Sequence, residues 1–366
     1  MCNVSMNTKR IESFDGLRGI AVFLMAFCWH YQHFAMFEKM DFLMPHVFNY
    51  SFQNGYHLVE LLFIMSGFTL MLNYKDRIRN NDLLFKDFVF RRLKAIYPMH
   101  LITLLIVAAI HPIYYSLTGY EYIAISYDLP HFILNLLLVQ NWFSFHLSFN
   151  SPMWYISVLF LVYIIFYIVI RLIKKDRHLV LISFLMILLG LINYSFLFFD
   201  PVLNYLVTRG IVCLFTGILL YKLYESVKID RYYLGIASAV VATALYVLFV
   251  NGRFLEPLIN YSTHNYFISS VLLGSSVLLT TLFFKPVNSF LSLKPLTMLG
   301  RLSNIIYFVH FPIQLLISTL NLAFGLNINF RSTFTWLGYV VTVILVSVFI
   351  HVIMSGKIRK TIRKRD

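Results

Sequence analysis

About ten apolar stretches, each near twenty residues long, constrain the fold of this chain more than any other feature. They lie near 17–36, 55–74, 97–116, 153–171, 179–199, 202–222, 233–251, 264–284, 303–321 and 334–355. A helix rises about 1.5 Å per residue, so about twenty residues cross the roughly 30 Å hydrocarbon core of a bilayer. The chain is 59% hydrophobic and 13% charged, with mean hydropathy +0.75. A soluble domain carries nearer about a quarter charged residues. Segments of about ten residues alternating polar and apolar, the mark of an outer-membrane barrel, are absent. The expectation is an all-α, polytopic membrane bundle of about ten transmembrane helices, forming one domain over residues 1–366. Region 117–152 fits least well. Its apolar stretch from Pro130 to Phe143 is broken by His131, Asn135 and Gln140, and is expected to lie in the membrane interface.

The net charge of +14 sits in short loops between apolar runs. That distribution argues for the positive-inside rule and membrane lipids, and against nucleic acid as a partner. With the N-terminus in the cytoplasm and ten crossings, 25 of the 30 basic residues fall on the cytoplasmic side, including a basic cytoplasmic tail at 357–366. Lys39, Arg253 and Arg331 fall outside, and Arg18 and Arg209 fall within spans. Both termini are therefore expected in the cytoplasm. The N-terminus is polar through Ser13 and the first apolar segment is long, so no cleavable signal peptide is expected. Cys28 and Cys213 lie in apolar runs, which leaves no expected disulfide or metal cluster with Cys2.

Ionisable residues inside the spans are the candidates for chemistry, because burying them is unfavourable without a role or a partner. Arg18 opens the first span, and His30 and His33 lie deeper in it. Arg18 can snorkel to lipid phosphates and His30 can bond a neighbouring helix; alternatively, a deep histidine can act as a general base on a hydroxyl. Glu60 in the second span and Arg209 in the sixth are expected at the depth of His30, as one buried polar cluster with Arg209 as partner of Glu60. Ser66-Gly67 would let a helix or a ligand approach closely. Arg91 and Arg92 lead into the third span and suit either anionic lipids or the phosphates of a nucleotide cofactor. Pro98 fits a first helical turn there. Trp154 belongs to an interfacial aromatic belt. Ser303, Tyr307 and His310 share one face of the ninth span.

Taken together, these segments resemble the acyltransferase-3 family of integral membrane O-acyltransferases. Asp15-Gly16-Leu17-Arg18 with the later histidine is similar to the family's first-span arginine–histidine motif. Val59–Phe68 resembles its Ser-Gly-Phe motif, Arg91-Arg92 through Tyr97-Pro98 its Arg–Tyr-Pro element, and Tyr307–His310 its late Tyr-x-x-His. The resemblance implies an acyl-CoA donor, usually acetyl-CoA, taken from the cytoplasm. It also implies a glycan acceptor on the other face, with Arg18 and a histidine essential. Two departures stand out. The family leaves about ten residues between arginine and histidine, whereas eleven separate Arg18 from His30. At about 100° per residue the extra residue turns His30 from about 20° to about 120° away from Arg18, and a π-bulge would absorb it. Otherwise His33 shares or replaces the role. Leu159 stands where many members carry glutamate.

The expected protein is a multi-pass O-acetyltransferase of a surface or exported polysaccharide in the bacterial cytoplasmic membrane. His30, Arg18, His33 and Glu60 are its catalytic candidates. Arg18, Arg91, Arg92, Ser66 and Gly67 are the donor-site candidates, and Arg209, Trp154 and His310 lie on the acceptor side. No metal is implied. The alternative is a transporter or flippase of a lipid-linked glycan.

Overall fold

The computed structural model describes residues 9–35, 55, 57–123, 126–143, 146–196, 200–201, 203–227, 231–250 and 263–363. These hold helices α1 (Glu12–Leu24), α2 (His57–Arg79), α3 (Phe85–Thr118), α4 (Leu129–Leu136), α5 (Trp154–Leu172) and α6 (Asp176–Phe196). The second half holds α7 (Tyr205–Ser226), α8 (Arg231–Val250), α9 (Thr263–Phe283), α10 (Lys285–Leu291), α11 (Lys294–Ala323) and α12 (Thr333–Arg363). No strand occurs among the described residues, only one isolated bridge between Ser126 and Ser148. Cys2, Lys39, Arg253 and the last three residues of the basic tail lie outside the described residues.

Among the described residues, eight helices are long and apolar enough to cross a bilayer by themselves: α2, α3, α5, α6, α7, α8, α11 and α12. The chain is thus an all-α, polytopic membrane protein. The other two expected spans depart from regular helix. α9 counts only together with α10, from which it is bent by 92°. Pro286 opens α10, where its fixed φ suits a helix start and its missing N–H cannot continue the helix before it. The first span is a composite. α1 passes into a π-helix over Met25–Trp29 and then a 3₁₀-helix over His30–Ala35.

One further expectation is corrected. Pro98 does not open a helix, because α3 begins at Phe85 and holds Pro98 and Pro112 in its interior. The basic segment before Pro98 is itself helical, and the proline forgoes one backbone hydrogen bond. In the loop region, the polar interruptions are structural ties. Asn135 is buried and donates to Ser148 Oγ (2.7 Å), while its carbonyl accepts from His100 Nε2 (2.7 Å). Asp128 caps α4 by accepting from His131 N (2.9 Å).

α1, α2, α5, α7 and α11 form the interior. α6, α8 and α12 lie outside, displaying Leu185, Phe184, Val240, Leu345 and Phe349 to the surroundings. Helices in lipid gain little from burying apolar surface against each other, so close backbone approach matters. Gly300 of α11 lies so near Asp15 that a Cβ would overlap its carbonyl, and Gly67 of α2 meets Leu214 of α7 in the same way. At one face, ion pairs tie the ends of α2, α6 and α7: Arg79–Asp176 and Lys222–Asp176 at 2.5 Å, and Lys75–Glu225 at 2.8 Å. This is called the basic face below.

Candidate active site

A cavity of about 180 Å³ opens among α1, α2, α3, α5 and α11, lined by Arg18, Ser66, Arg92, Tyr155, Leu159 and Tyr307, among others. A second pocket of about 240 Å³ lies toward the basic face and shares Arg18, Thr69 and Arg92 with the first. The two arginines therefore stand where the outer pocket meets the inner cavity. Among the described residues, no carboxylate lines the inner cavity. The one acid in the outer pocket, Asp15, is bonded to Arg10 at 2.5 Å and lies 4.0 Å from Arg18. The Arg92 guanidinium carbon is 4.6 Å from the Tyr74 ring, 4.8 Å from Tyr163 and 5.5 Å from Phe88. Its Nε is buried without a hydrogen-bond partner, and no ion pair neutralises it among the described residues. Aromatic faces hold such a cation by about 0.5–2 kcal/mol each at most. Helical rotation separates the neighbours: Arg92 turns inward and Arg91 is exposed on α3.

Of the second-span pair, Ser66 lines the cavity, with its hydroxyl donated to Leu62 O (2.8 Å). Gly67 faces α7 and is a packing residue, which removes it from the donor-site candidates.

Deeper along α1, the π-helix absorbs the residue that the Arg18–His30 spacing has in excess. Irregular backbone at membrane depth must have its polar groups satisfied by protein. Here the Trp336 indole donates to Phe27 O (2.7 Å), and Gln314 Nε2 donates to His30 O (2.8 Å). His30 Nδ1 lies 2.8 Å from His310 Nε2. The His30 and His310 rings lie edge to edge in nearly one plane, 6° apart with centroids at 4.9 Å, and the His30 ring stacks on His33 at 5.1 Å. His310 Nδ1 is 2.8 Å from Tyr307 O. Tyr307, on the cavity wall, thus stands one helical turn before the histidine that meets His30.

Glu60 finds the partner expected of it: Arg209 Nε to Glu60 Oε1 is 2.6 Å, with both side chains buried. The Arg209 guanidinium also lies 5.0 Å from the Trp154 ring. His30, the third member expected at this depth, makes its own side-chain contact with His310. Ser303, Tyr307 and His310 share one buried face of α11, where Ser303 donates to Gly300 O of its own helix (2.8 Å), and Asn304 joins Tyr307 at the cavity. His310 is completely buried.

Tyr74, Tyr163, Tyr155 and Gln314 escape sequence reasoning. Gln314 carries a signal, since it lies four residues after His310 on the same helix face. The tyrosines carry none.

A family model for an acyltransferase domain, that of the acyltransferase-3 family, matches residues 11–353, nearly the whole chain. Comparison with curated proteins and with solved structures finds no match.

Proposed function

This chain belongs to the acyltransferase-3 family of membrane acyltransferases, and we propose from that premise that it moves an acetyl group from acetyl-CoA to a hydroxyl of a surface or exported polysaccharide. One observation carries this reading. An acid-free cavity has two arginines at its mouth, and its wall lies one helical turn from the His30–His310 contact. Arg18 and Arg92 hold the phosphates of CoA by charge-assisted, bidentate hydrogen bonds. The thioester end reaches inward past Ser66 toward Tyr307. His30 takes the proton of the acceptor hydroxyl as its oxygen attacks the thioester carbonyl. The carbon–sulfur bond breaks, the proton passes to the departing sulfur, and the products are acetylated glycan and CoA thiol. In this reading the basic face is cytoplasmic, in keeping with the charge asymmetry of the loops, and the acceptor arrives from the other side.

The transporter alternative drew on charges within the spans. Glu60 and Arg209 neutralise each other, which leaves them little charge to offer a passing ligand. The deciding experiment uses purified protein in lipid nanodiscs with acetyl-CoA and extracted glycan. Release of CoA thiol together with an acetyl mass gained by the glycan supports the proposal. Glycan movement across a vesicle membrane without thiol release would overturn it.

A further inference from the structure

We propose that His310 is a positioning residue that sets the tautomer of His30, so that His30 Nδ1 carries the proton and Nε2 presents the lone pair. The inference rests on the reading of His30 as base and adds which nitrogen acts and what holds it so.

A backbone carbonyl only accepts. Tyr307 O lies 2.8 Å and Ile306 O lies 3.2 Å from His310 Nδ1, so that nitrogen must be the donor. In a neutral imidazole the other nitrogen is then the acceptor, which makes His310 Nε2 a lone pair. It faces His30 Nδ1 at 2.8 Å. Two lone pairs cannot share that distance favourably, so His30 Nδ1 carries the hydrogen and donates it. The unprotonated nitrogen of His30 is therefore Nε2, since the side-chain hydrogen bond of His30 among the described residues runs through Nδ1.

Burial separates the roles of the two rings. His310 has no exposed surface, whereas His30 keeps 8%. His310 is also held from several sides. Its own carbonyl accepts from Tyr339 Oη (3.0 Å), and the turn before it is fixed by Tyr307 Oη donating to Pro152 O (2.6 Å). On the other side, Gln314 fastens the His30 backbone (2.8 Å). One stretch of α11 thereby orients the ring and fixes its main chain. When His30 takes a proton on Nε2, the hydrogen on Nδ1 stays donated to His310, which stabilises the resulting imidazolium. Loss of such an orienting partner affects the transition state, with the thioester binding steps left intact.

The test has a measurement that needs no donor and one that does. Protein labelled with ¹⁵N-histidine is measured in nanodiscs by solid-state NMR, with His30 assigned by its disappearance in His30→Gln. The expected spectrum shows His30 protonated on Nδ1 and bare on Nε2. A proton on Nε2 would overturn the proposal, as would an unchanged His30 tautomer in His310→Phe. In CoA-thiol release from acetyl-CoA, His310→Phe keeps a ring and loses the acceptor. It is expected to lower kcat by about 10²-fold or more with KM for acetyl-CoA unchanged. His310→Gln restores an acceptor oxygen and is expected to recover at least about tenfold of that loss. Equal activity of the Phe variant and wild type, or a Gln variant as inactive as Phe, would overturn the assignment. The tautomer measurement stands without any donor. A wild type that releases no CoA would therefore count against the acetyl-CoA reading alone.

Discussion

Arg92 is a cation set among Tyr74, Tyr163 and Phe88 with no carboxylate among the described residues to neutralise it. A protein can hold such a charge ready for an anion because aromatic faces attract it without quenching it. Arg92→Ala or Arg18→Ala should each raise KM for acetyl-CoA by about ten- to a hundredfold, the loss of a charge-assisted bond of about 1.5–3 kcal/mol. Arg91→Ala should change it less than about threefold, since that side chain is exposed away from the cavity. Titration calorimetry with CoA checks all three. A second residue-scale expectation separates the histidines. His30→Ala should abolish transfer with the protein still in the membrane, and His33→Ala should retain measurable turnover in the same thiol-release assay. The Arg92 cage has no counterpart in the sequence pattern. Its rings come from α2, α3 and α5, and nothing in spacing marks them among 36 phenylalanines and 24 tyrosines.

Among the elements, the composite first span decides the geometry of the site. Its bulge is legible in the sequence, because one residue in excess between an arginine and a histidine must be absorbed somewhere along the helix. Which turn absorbs it is not legible, because that depends on Trp336, about three hundred positions away, capping Phe27 O. Trp336→Phe leaves that carbonyl without its side-chain donor in a buried place. The expected loss is about 1–3 kcal/mol, read as a lower thermal midpoint in nanodiscs. Deleting Ala26 should close the bulge into regular helix and keep His30 about 20° from Arg18. Transfer should then survive within about tenfold. Inserting one alanine beside it should rotate His30 a further 100° or so and abolish transfer. The break between α9 and α10 is also partly readable after the fact, through Pro286. The early start of α3 is not, since its basic first turns carry no apolar run of their own.

For the whole molecule, the length of the apolar runs locates nearly every helix, because a bilayer imposes length and composition directly on the sequence. How the helices neighbour each other is written in glycine contacts and single polar pairs, which no linear pattern displays. The positive-inside expectation places the basic face in the cytoplasm. Cysteines introduced at Lys174 and at Tyr120, both exposed loop or helix-end positions, should therefore label from opposite sides of sealed membrane vesicles. Labelling from one side would overturn that orientation.

The Glu60–Arg209 pair also bears on how the protein is made. The partners are 149 residues apart, so α2 leaves the ribosome before α7 exists. At about 5–20 residues per second the interval is roughly 7–30 s. During it Glu60, in the first turn of α2, has no Arg209 to meet, and its carboxylate disfavours insertion by up to the about 2.5–3.5 kcal/mol of a helix-centre charge. Biogenesis must bridge that gap, either by protonating Glu60 or by sheltering α2 beside the insertion machinery until α7 arrives. Arg209→Ala should leave the nascent chain permanently in that waiting state and lower its steady-state level several-fold. Glu60→Gln added to Arg209→Gln should bring the level back, measured by quantitative immunoblot of membranes. A pair that looks like a static bolt in the finished bundle thus works first as a checkpoint on the order of assembly.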